Sequence, residues 1–255
     1  MFVQERLGAI EALLQQKHRL TVGELARHFD ASEITIRRDL RLLEETGKIV
    51  RAHGGALRVD FQKPETEFGH RAVDAVEAKT AIARLAAADL PVRGHVFIDS
   101  GTTCLEVGRR VIERSELTIV TNSIPLLALG GEAKARVIGI GGEIRSVSLA
   151  LVGGLALDWL KAFRFDAAVI GASGLDPEDG AFTTELSEAA VKQMACARSR
   201  LRILVAHVEK WNQSAAVLIA PWKRFHRLVT DDRLGRTERA RLRLAGVKVQ
   251  VATIR

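Results

Sequence analysis

Thr35, Arg37, Arg38 and Arg41 fall on one side of a helical repeat whose other side is Ile36, Leu40 and Leu43. Guanidinium forks of this kind fit the O6 and N7 edge of guanine or hold backbone phosphates, and short hydroxyl side chains suit the same surfaces. A second group of residues has a different chemistry. Asp99-Ser100-Gly101-Thr102-Thr103, Thr121-Asn122-Ser123 and Gly141-Gly142 each follow a short apolar run. Small hydroxyl and glycine residues at such points present backbone N–H groups and a helix dipole to a phosphate. Lys210, after a later apolar run, adds a point charge. The chain therefore carries two separate sets of groups, one suited to a DNA groove and one to a small anion.

The elements that must position the first set are legible around it. Thr21 followed by Glu24 fits a capping box, and Ser32 can cap the next helix in the same way. Leu25 and Phe29 share one face of the first of these helices. Gly47 follows the second, where a left-handed stop is cheap. A preceding segment, Glu5 to Gln16, places Leu7, Ile10, Leu13 and Leu14 at helical spacing and supplies a third helix. Ile49-Val50-Arg51-Ala52 and Ala56-Leu57-Arg58-Val59 flank His53-Gly54-Gly55, the pattern of a hairpin. A charged helix face alone is usually just solvated surface. Caps, paired arginines, a glycine stop and a hairpin in this order predict a helix-turn-helix with a wing. Its DNA-contacting residues are read as Thr21, Ser32, Glu33, Ile34, Thr35, Arg37, Arg38 and Arg41, with Arg51 and His53 from the wing. Asp39 is expected to pair with a neighbouring arginine instead of reading a base.

The chain of 255 residues is long enough for two ordinary domains, and 47% hydrophobic residues suffice for a sizeable core. Net charge is +7, which favours polyanionic partners. Most of that excess lies beyond the first 59 residues, in stretches such as Arg233, Arg236, Arg239, Arg241 and Arg243, so the DNA reading rests on motif order. Cys104 and Cys196 stand far apart and give neither a disulfide framework nor metal-ligand spacing. Neither an apolar run of membrane-spanning length nor a secretory leader pattern is present, so a reduced, cytoplasmic protein without a membrane partner is expected. No metal and no cofactor is expected.

Residues 60–75 are polar and poorly periodic and read as a linker between a domain at 1–59 and a larger one at 76–255. Beyond Val76, strand candidates at His95–Asp99, Leu117–Thr121, Ala135–Ile140, Ala167–Ile170, Leu201–Ala206, Ala216–Ile219, Leu228–Val229 and Val247–Ala252 alternate with helical stretches. That alternation predicts a Rossmann-like α/β domain with a mostly parallel sheet. Ligands bind such sheets at the carboxyl ends of strands, where Asp99–Thr103, Thr121–Ser123 and Gly141–Gly142 fall. Three loops converging on one anion, with Lys210, form the expected effector site. Neither a Walker pattern nor a dinucleotide GxGxxG occurs, so a nucleotide is not implied. Asp99, Asp166, Glu185 and Glu188 offer carboxylates for an enzymatic alternative, but no spacing singles out a catalytic pair. Trp159, Trp211 and Trp222 read as core or interface residues.

The segment Ser32-x-x-Thr35-Ile36-Arg37-Arg38-Asp39-Leu40, with Leu43-Glu44, Gly47, Arg51 and His53-Gly54-Gly55-Ala56, resembles the DNA-binding half of DeoR-type bacterial transcriptional repressors. The resemblance continues through Lys79, Asp99–Thr103, Thr121–Ser123, Gly141-Gly142, Asp166, Gly171-Ala172, Gly180, Thr183-Thr184, Glu188-Ala189, Lys192, Lys210 and Thr230-Asp231. It covers nearly the whole chain. It implies a sensor domain related in fold to ribose-phosphate isomerases that binds a phosphorylated sugar or similar metabolite and thereby releases operator DNA. It also implies repression of carbohydrate-metabolism genes. A homodimer or homotetramer is expected, since a two-fold assembly matches palindromic operator half-sites. The alternative is an isomerase-like enzyme carrying a DNA-binding module. One run departs from the family, which usually has Ala-Asp-x-x-Lys-Phe where this chain has Ala206-His207-Val208-Glu209-Lys210-Trp211. His207 takes the place of a carboxylate there.

Overall fold

In the computed structural model the chain divides into two compact units, residues 1–65 and 66–255. The structure describes residues 3–17, 19–45, 49–52, 55–58, 65–213 and 215–254.

The first unit comprises α1 (Val3–Lys17), β1 (Arg19–Thr21), α2 (Val22–His28), α3 (Glu33–Glu45), β2 (Ile49–Ala52) and β3 (Gly55–Arg58). Ile10, Leu14, Leu25, Ile36, Leu40 and Leu43 meet in its core, each almost fully buried. Burying one such side chain is worth about 1.5–3 kcal/mol, so the i, i+4, i+7 stripe of α3 is what holds that helix in place. The hairpin pairs Ile49 with Arg58 and Ala52 with Gly55. Strand β1, which the apolar pattern does not announce, adds to its other edge and pairs Thr21 with Gly55. A Cβ at Gly55 would lie 2.3 Å from the Leu20 carbonyl oxygen. Only glycine lets these two backbones approach so closely.

The second unit opens with α4 (Phe68–Val73), α5 (Val76–Asp89), β4 (Gly94–Ile98), α6 (Thr102–Val111), β5 (Leu117–Thr121), α7 (Ile124–Ala128) and β6 (Arg136–Gly139). A hairpin follows, β7 (Glu143–Arg145) and β8 (Ala150–Val152), then α8 (Gly154–Ala162) and β9 (Phe165–Gly171). β10 (Gly174–Asp176), β11 (Gly180–Thr183), α9 (Leu186–Ala197) and β12 (Ser199–Val205) come next. β13 (Val217–Ala220), β14 (Arg227–Asp231), α10 (Arg236–Leu244) and β15 (Lys248–Ala252) complete it. Seven strands form one parallel sheet in the order β15-β14-β12-β9-β4-β5-β6.

Both faces of that sheet are covered. Phe97, Val120, Ala168, Ile170, Leu204 and Leu228 point into one apolar core, and Val96, Ile98, Ile119, Val169, Ile203 and Val229 into the other. This period-2 division of continuous apolar runs is the mark of a doubly covered parallel sheet. Two sequence readings change. The segment 60–75 is not linker throughout, because Phe68–Val73 is helical, Phe68 is buried in the second unit's core and its N–H donates to the Val147 carbonyl. The strand read at Ala216–Ile219 leaves the main sheet and pairs antiparallel with β11. Short strands of three or four residues, such as β7, β8, β10 and β11, carry too few alternations to register in a periodicity reading.

Candidate DNA-reading helix and effector cavity

On the first unit, the capping box is present on both sides. The Thr21 hydroxyl accepts from the Glu24 N–H at 3.1 Å, and Glu24 Oε2 accepts from the Thr21 N–H at 2.8 Å. The Ser32 hydroxyl accepts from the Thr35 N–H at 3.2 Å and lies 2.8 Å from the Thr35 hydroxyl. Thr21 and Ser32 therefore spend their hydroxyls on starting helices, with any outward contact secondary. Glu33 is exposed and paired with Arg37 at 2.7 Å, an i,i+4 bridge. Ile34 is 77% exposed at the start of α3. An apolar side chain at that point is costly in water and suits a thymine methyl in the major groove. Arg38 and Arg41 are exposed on the same helix. Asp39 turns inward, buried against α1, and takes both forks of Arg6 at 2.6 and 3.1 Å. Arg51 lies in β2 opposite Ala56. His53 lies outside the described residues.

On the second unit, one cavity lies at the carboxyl ends of the parallel strands. Ser100, Gly101, Thr102 and Thr103 form one wall, at the start of α6. No side chain caps that helix. Its first N–H groups are thus left for a ligand oxygen, beside two hydroxyls. Gly171 ends β9 and Ala172 and Ser173 follow it, and Ala206, His207 and Lys210 follow β12. Arg71, Asp74 and Lys79 come from α4, its end and α5, and Ser148 from the β7–β8 turn. Glu188 and Lys192 complete it from α9.

The electrostatics of this wall are organised. Lys192 is buried and paired with Asp99. Burial works to lower its pKa, but the charges of Asp99 and Glu188 outweigh it and raise the ammonium above its ordinary value. Lys79 donates to the Arg71 and Asp74 carbonyls, and its own burial lowers its pKa. Glu188 takes Arg145 at 3.0 Å and the Thr183 hydroxyl at 3.2 Å. His207 is 3% exposed and its Nδ1 has no hydrogen-bond partner. Burial, then the nearby Lys210, lowers its pKa to about 4, so the imidazole is neutral at ordinary pH.

Of the three loops read as converging, Ser100–Thr103 lines the cavity together with Lys210, and the other two are not in its wall. Asp99 does not line the cavity, because it is wholly buried and its Oδ2 accepts from the Gly171 N–H at 2.9 Å and from Lys192. The Thr121 hydroxyl donates to the Ile98 carbonyl at 2.6 Å, and Ser123 caps α7 through the Leu126 N–H. Asn122 is buried, and its backbone carbonyl accepts from the Leu151 N–H. Gly141 packs beside Leu155 and Trp159, and Gly142 takes a positive φ of 136° against the Val152 carbonyl. Those residues shape the sheet's carboxyl edge and are not in the cavity wall. In their place stand Lys79 and Lys192. Each lies on the buried face of its helix, with Ile82, Ala83 and Ala86 beside one and Ala189, Ala195 and Cys196, together with the buried Glu188, beside the other. A lysine on a mostly apolar stripe was the available signal, since a buried charge must meet a partner. Cys104 and Cys196 are buried thiols, both raised by burial, Cys196 to about 12, so neither is a reactive thiolate.

A winged helix-turn-helix with an exposed arginine face, joined in one chain to an α/β unit with a cation-rich cavity, defines a ligand-responsive transcriptional regulator. The matching families and the sequence relatives agree. Residues 6–62 match the DeoR-like helix-turn-helix domain, and residues 74–232 match the DeoR C terminal sensor domain. The chain is 34% identical over 249 residues to the HTH-type transcriptional regulator GlpR of Haloferax volcanii, covering 98% of each. It is 34% identical over 215 residues to the glycerol-3-phosphate regulon repressor of Escherichia coli K12, covering 84% of each. Among solved structures, a D-ribose-5-phosphate isomerase in complex with phospho-erythronic acid aligns with a TM-score of 0.41 at 16% identity, over 55% of each chain. The chain belongs to the DeoR family of transcriptional regulators.

Proposed function

We propose that the chain represses its target genes by binding operator DNA through α3 and the wing, and that a small phosphorylated sugar or related metabolite in the cavity releases it. The observation that carries the effector reading is the meeting of Lys79, Lys192, Lys210 and Arg71 with the uncapped start of α6 in one cavity. Lys192 is paired with Asp99, Lys210 is partly exposed, and in the wall as a whole Arg71, Lys79, Lys192 and Lys210 outnumber Asp74 and Glu188. A dianion fits that balance. The phosphate takes the N–H groups of α6 with Thr102 and Thr103, and the sugar hydroxyls face Ser148, Ser173 and His207. Glycerol-3-phosphate is the first metabolite to test, on the strength of the relative named for that regulon.

Release follows if the ligand favours a conformation that binds DNA less well; the two affinities then oppose each other by one coupling free energy. The protein acts in the cytoplasm as a homodimer or homotetramer, whose two-fold symmetry matches paired operator half-sites. It is not an enzyme in this reading: Asp99 is bound to Lys192 and to a backbone N–H outside the cavity wall, and Glu188, which lines the cavity, is held by Arg145 and the Thr183 hydroxyl. The test is fluorescence anisotropy with DNA from the gene's own upstream region, at fixed salt, against a panel of sugar phosphates and their unphosphorylated forms. Release by one phosphorylated member alone supports the proposal. Specific binding that no member relieves removes the effector half of it, and turnover of any member revives the enzymatic reading.

A further inference from the structure

The positive charge of this chain is not where its DNA-reading helix is. Residues 1–65 hold 11 Lys and Arg against 10 Asp and Glu, a net +1. Residues 66–255 hold 27 against 21, a net +6. Much of this excess gathers at one place, the amino-terminal edge of the parallel sheet, opposite the carboxyl edge that forms the cavity. Five neighbouring strands begin there, in the order β15, β14, β12, β9, β4. Lys248 begins the first and lies beside Arg227, which begins the second. Arg200 lies at the start of β12, and Arg164 and Arg93 immediately precede β9 and β4. Lys223 and Arg224 enter from the turn before β14.

The cluster is continuous. Arg202 reaches the His226 ring at 3.1 Å and the Arg224 carbonyl, so the β12 and β14 starts are tied together. Arg198 reaches the Phe163 carbonyl at 2.7 Å and ties β12 to β9. The carboxylates on this edge are few. Asp89 is taken by Arg227 at 2.6 Å, Asp166 lies 3.6 Å from Arg200, and Glu116 stands next to Gly94. Arg93, Arg164, Lys223, Arg224 and Lys248 are all exposed. Burial, then the charges of Arg202 and Arg227, hold His226 below its ordinary pKa, as a local excess of positive charge would. With strands about 4.8 Å apart, the row spans about 19 Å. That is over half of the roughly 34 Å of one turn of duplex DNA.

We propose that this basic edge of the sensor unit is a second DNA-contacting surface, which holds backbone phosphates of the duplex flanking the operator without reading sequence. The chemistry favours a duplex over other polyanions. Of the Phe and Trp rings beside the cluster, Trp222 and Phe225 are buried, and Phe163 is half-buried with its ring stacked on Phe165, so among the described residues the surface offers no open row of such rings on which single-stranded bases would stack. Regularly spaced cations without such rings suit phosphate contacts that position a protein on a double helix.

The experiment uses the full chain and two duplexes from its own upstream region. One is trimmed to the footprinted site, and the other is extended by about 20 bp on each side, two further helical turns. Binding is measured by anisotropy as salt is varied, for the wild type and for Arg93→Gln/Arg164→Gln/Lys223→Gln/Lys248→Gln. On the extended duplex the variant is expected to lose about 0.9 of the log–log salt slope per abandoned phosphate, and to bind about tenfold or more weakly near 0.1 M salt. On the trimmed duplex the two proteins should match. A charge-keeping variant, Arg93→Lys/Arg164→Lys/Lys223→Arg/Lys248→Arg, should restore the slope. Equal slopes on the extended duplex, or an equal loss on both duplexes, overturns the proposal. So does unchanged DNA binding accompanied by lost binding to phosphatidylserine vesicles, which would assign the edge to a membrane surface. Failure of the wild type to bind the trimmed duplex would instead strike at the operator reading of α3.

Discussion

Arg6 of α1 and Asp39 of α3 form a two-pronged ion pair, Nε to Oδ2 at 2.6 Å and Nη2 to Oδ1 at 3.1 Å, with Asp39 only 2% exposed. Asp39 lies in the same run as Arg37 and Arg38, yet it serves the opposite face of the helix. It locks the rotation of α3 about its own axis, and so fixes which residues meet the groove. Planar bidentate geometry is what arginine supplies and lysine does not.

Arg6 is only partly buried, so losing this pair costs about 1.5–3 kcal/mol, the range of a hydrogen bond to a charged group. Asp39→Ala should therefore destabilise the first unit by about that amount and abolish operator binding at temperatures where the second unit stays folded. Circular dichroism melting alongside anisotropy checks this. An Asp39→Ala protein with wild-type melting and wild-type affinity would mean the pair positions nothing.

Arg38 and Ile34 are exposed where α3 can enter a groove. Arg38→Ala should weaken specific binding by about 1–3 kcal/mol, roughly tenfold or more, and relax the preference at one base position. Ile34→Ala should cost less and act at a thymine. Arg37, already bridged to Glu33, should show the smallest effect of the helix arginines. Binding measured across a set of single-base operator variants separates base readers from phosphate holders.

The cation set of the cavity predicts a charge-selective loss. Lys210→Gln should raise the concentration of phosphorylated ligand needed for release by about tenfold, the order of one charge-assisted hydrogen bond of 1.5–3 kcal/mol, with DNA affinity in its absence unchanged. Thr102→Val and Thr103→Val should act in the same direction. Lys192→Met should instead unfold the second unit, because Asp99 is left buried without its counter-ion. Ligand titration and thermal melting of the same variants distinguish the two outcomes.

His207 gives a pH dependence with a definite sign. Its pKa is about 4 in the fold against about 6.5 for a free imidazole. The unfolded chain then binds more protons between those values, so stability is complete above about pH 6.5 and falls as the pH drops towards 4. His207→Gln should flatten this acid limb in a denaturant titration repeated across the window. An unaltered limb would show that other groups govern it.

What the sequence made visible follows physical scale. The stripe Ile36, Leu40, Leu43, the caps at Thr21 and Ser32, and the strand–helix alternation are signals repeated over many residues, and the structure has them all. The loops after strands were seen as a class, but which of them line the cavity was not. Whether Thr121 turns to a ligand or to the Ile98 carbonyl is decided by one side-chain torsion, which no pattern encodes. Arg71 and Ser148 reach the cavity from a short helix and a three-residue hairpin, both below the length at which periodicity speaks. The resemblance named Lys79, Glu188 and Lys192 without assigning them a place. Their position on mostly apolar stripes is the local signal of a buried ionic site.

The cavity wall is drawn from seven stretches of chain, the first around Arg71 and the last ending at Lys210. No one of these holds the ligand alone, so a partly unfolded second unit has nothing to offer it. A ligand therefore binds the complete fold and not its fragments, and its affinity appears directly as resistance to heat. At a hundred times its dissociation constant it adds about 2.7 kcal/mol. The unit is in this sense its own thermometer for its effector, and a melting screen over a metabolite collection can find that molecule before any operator sequence is known.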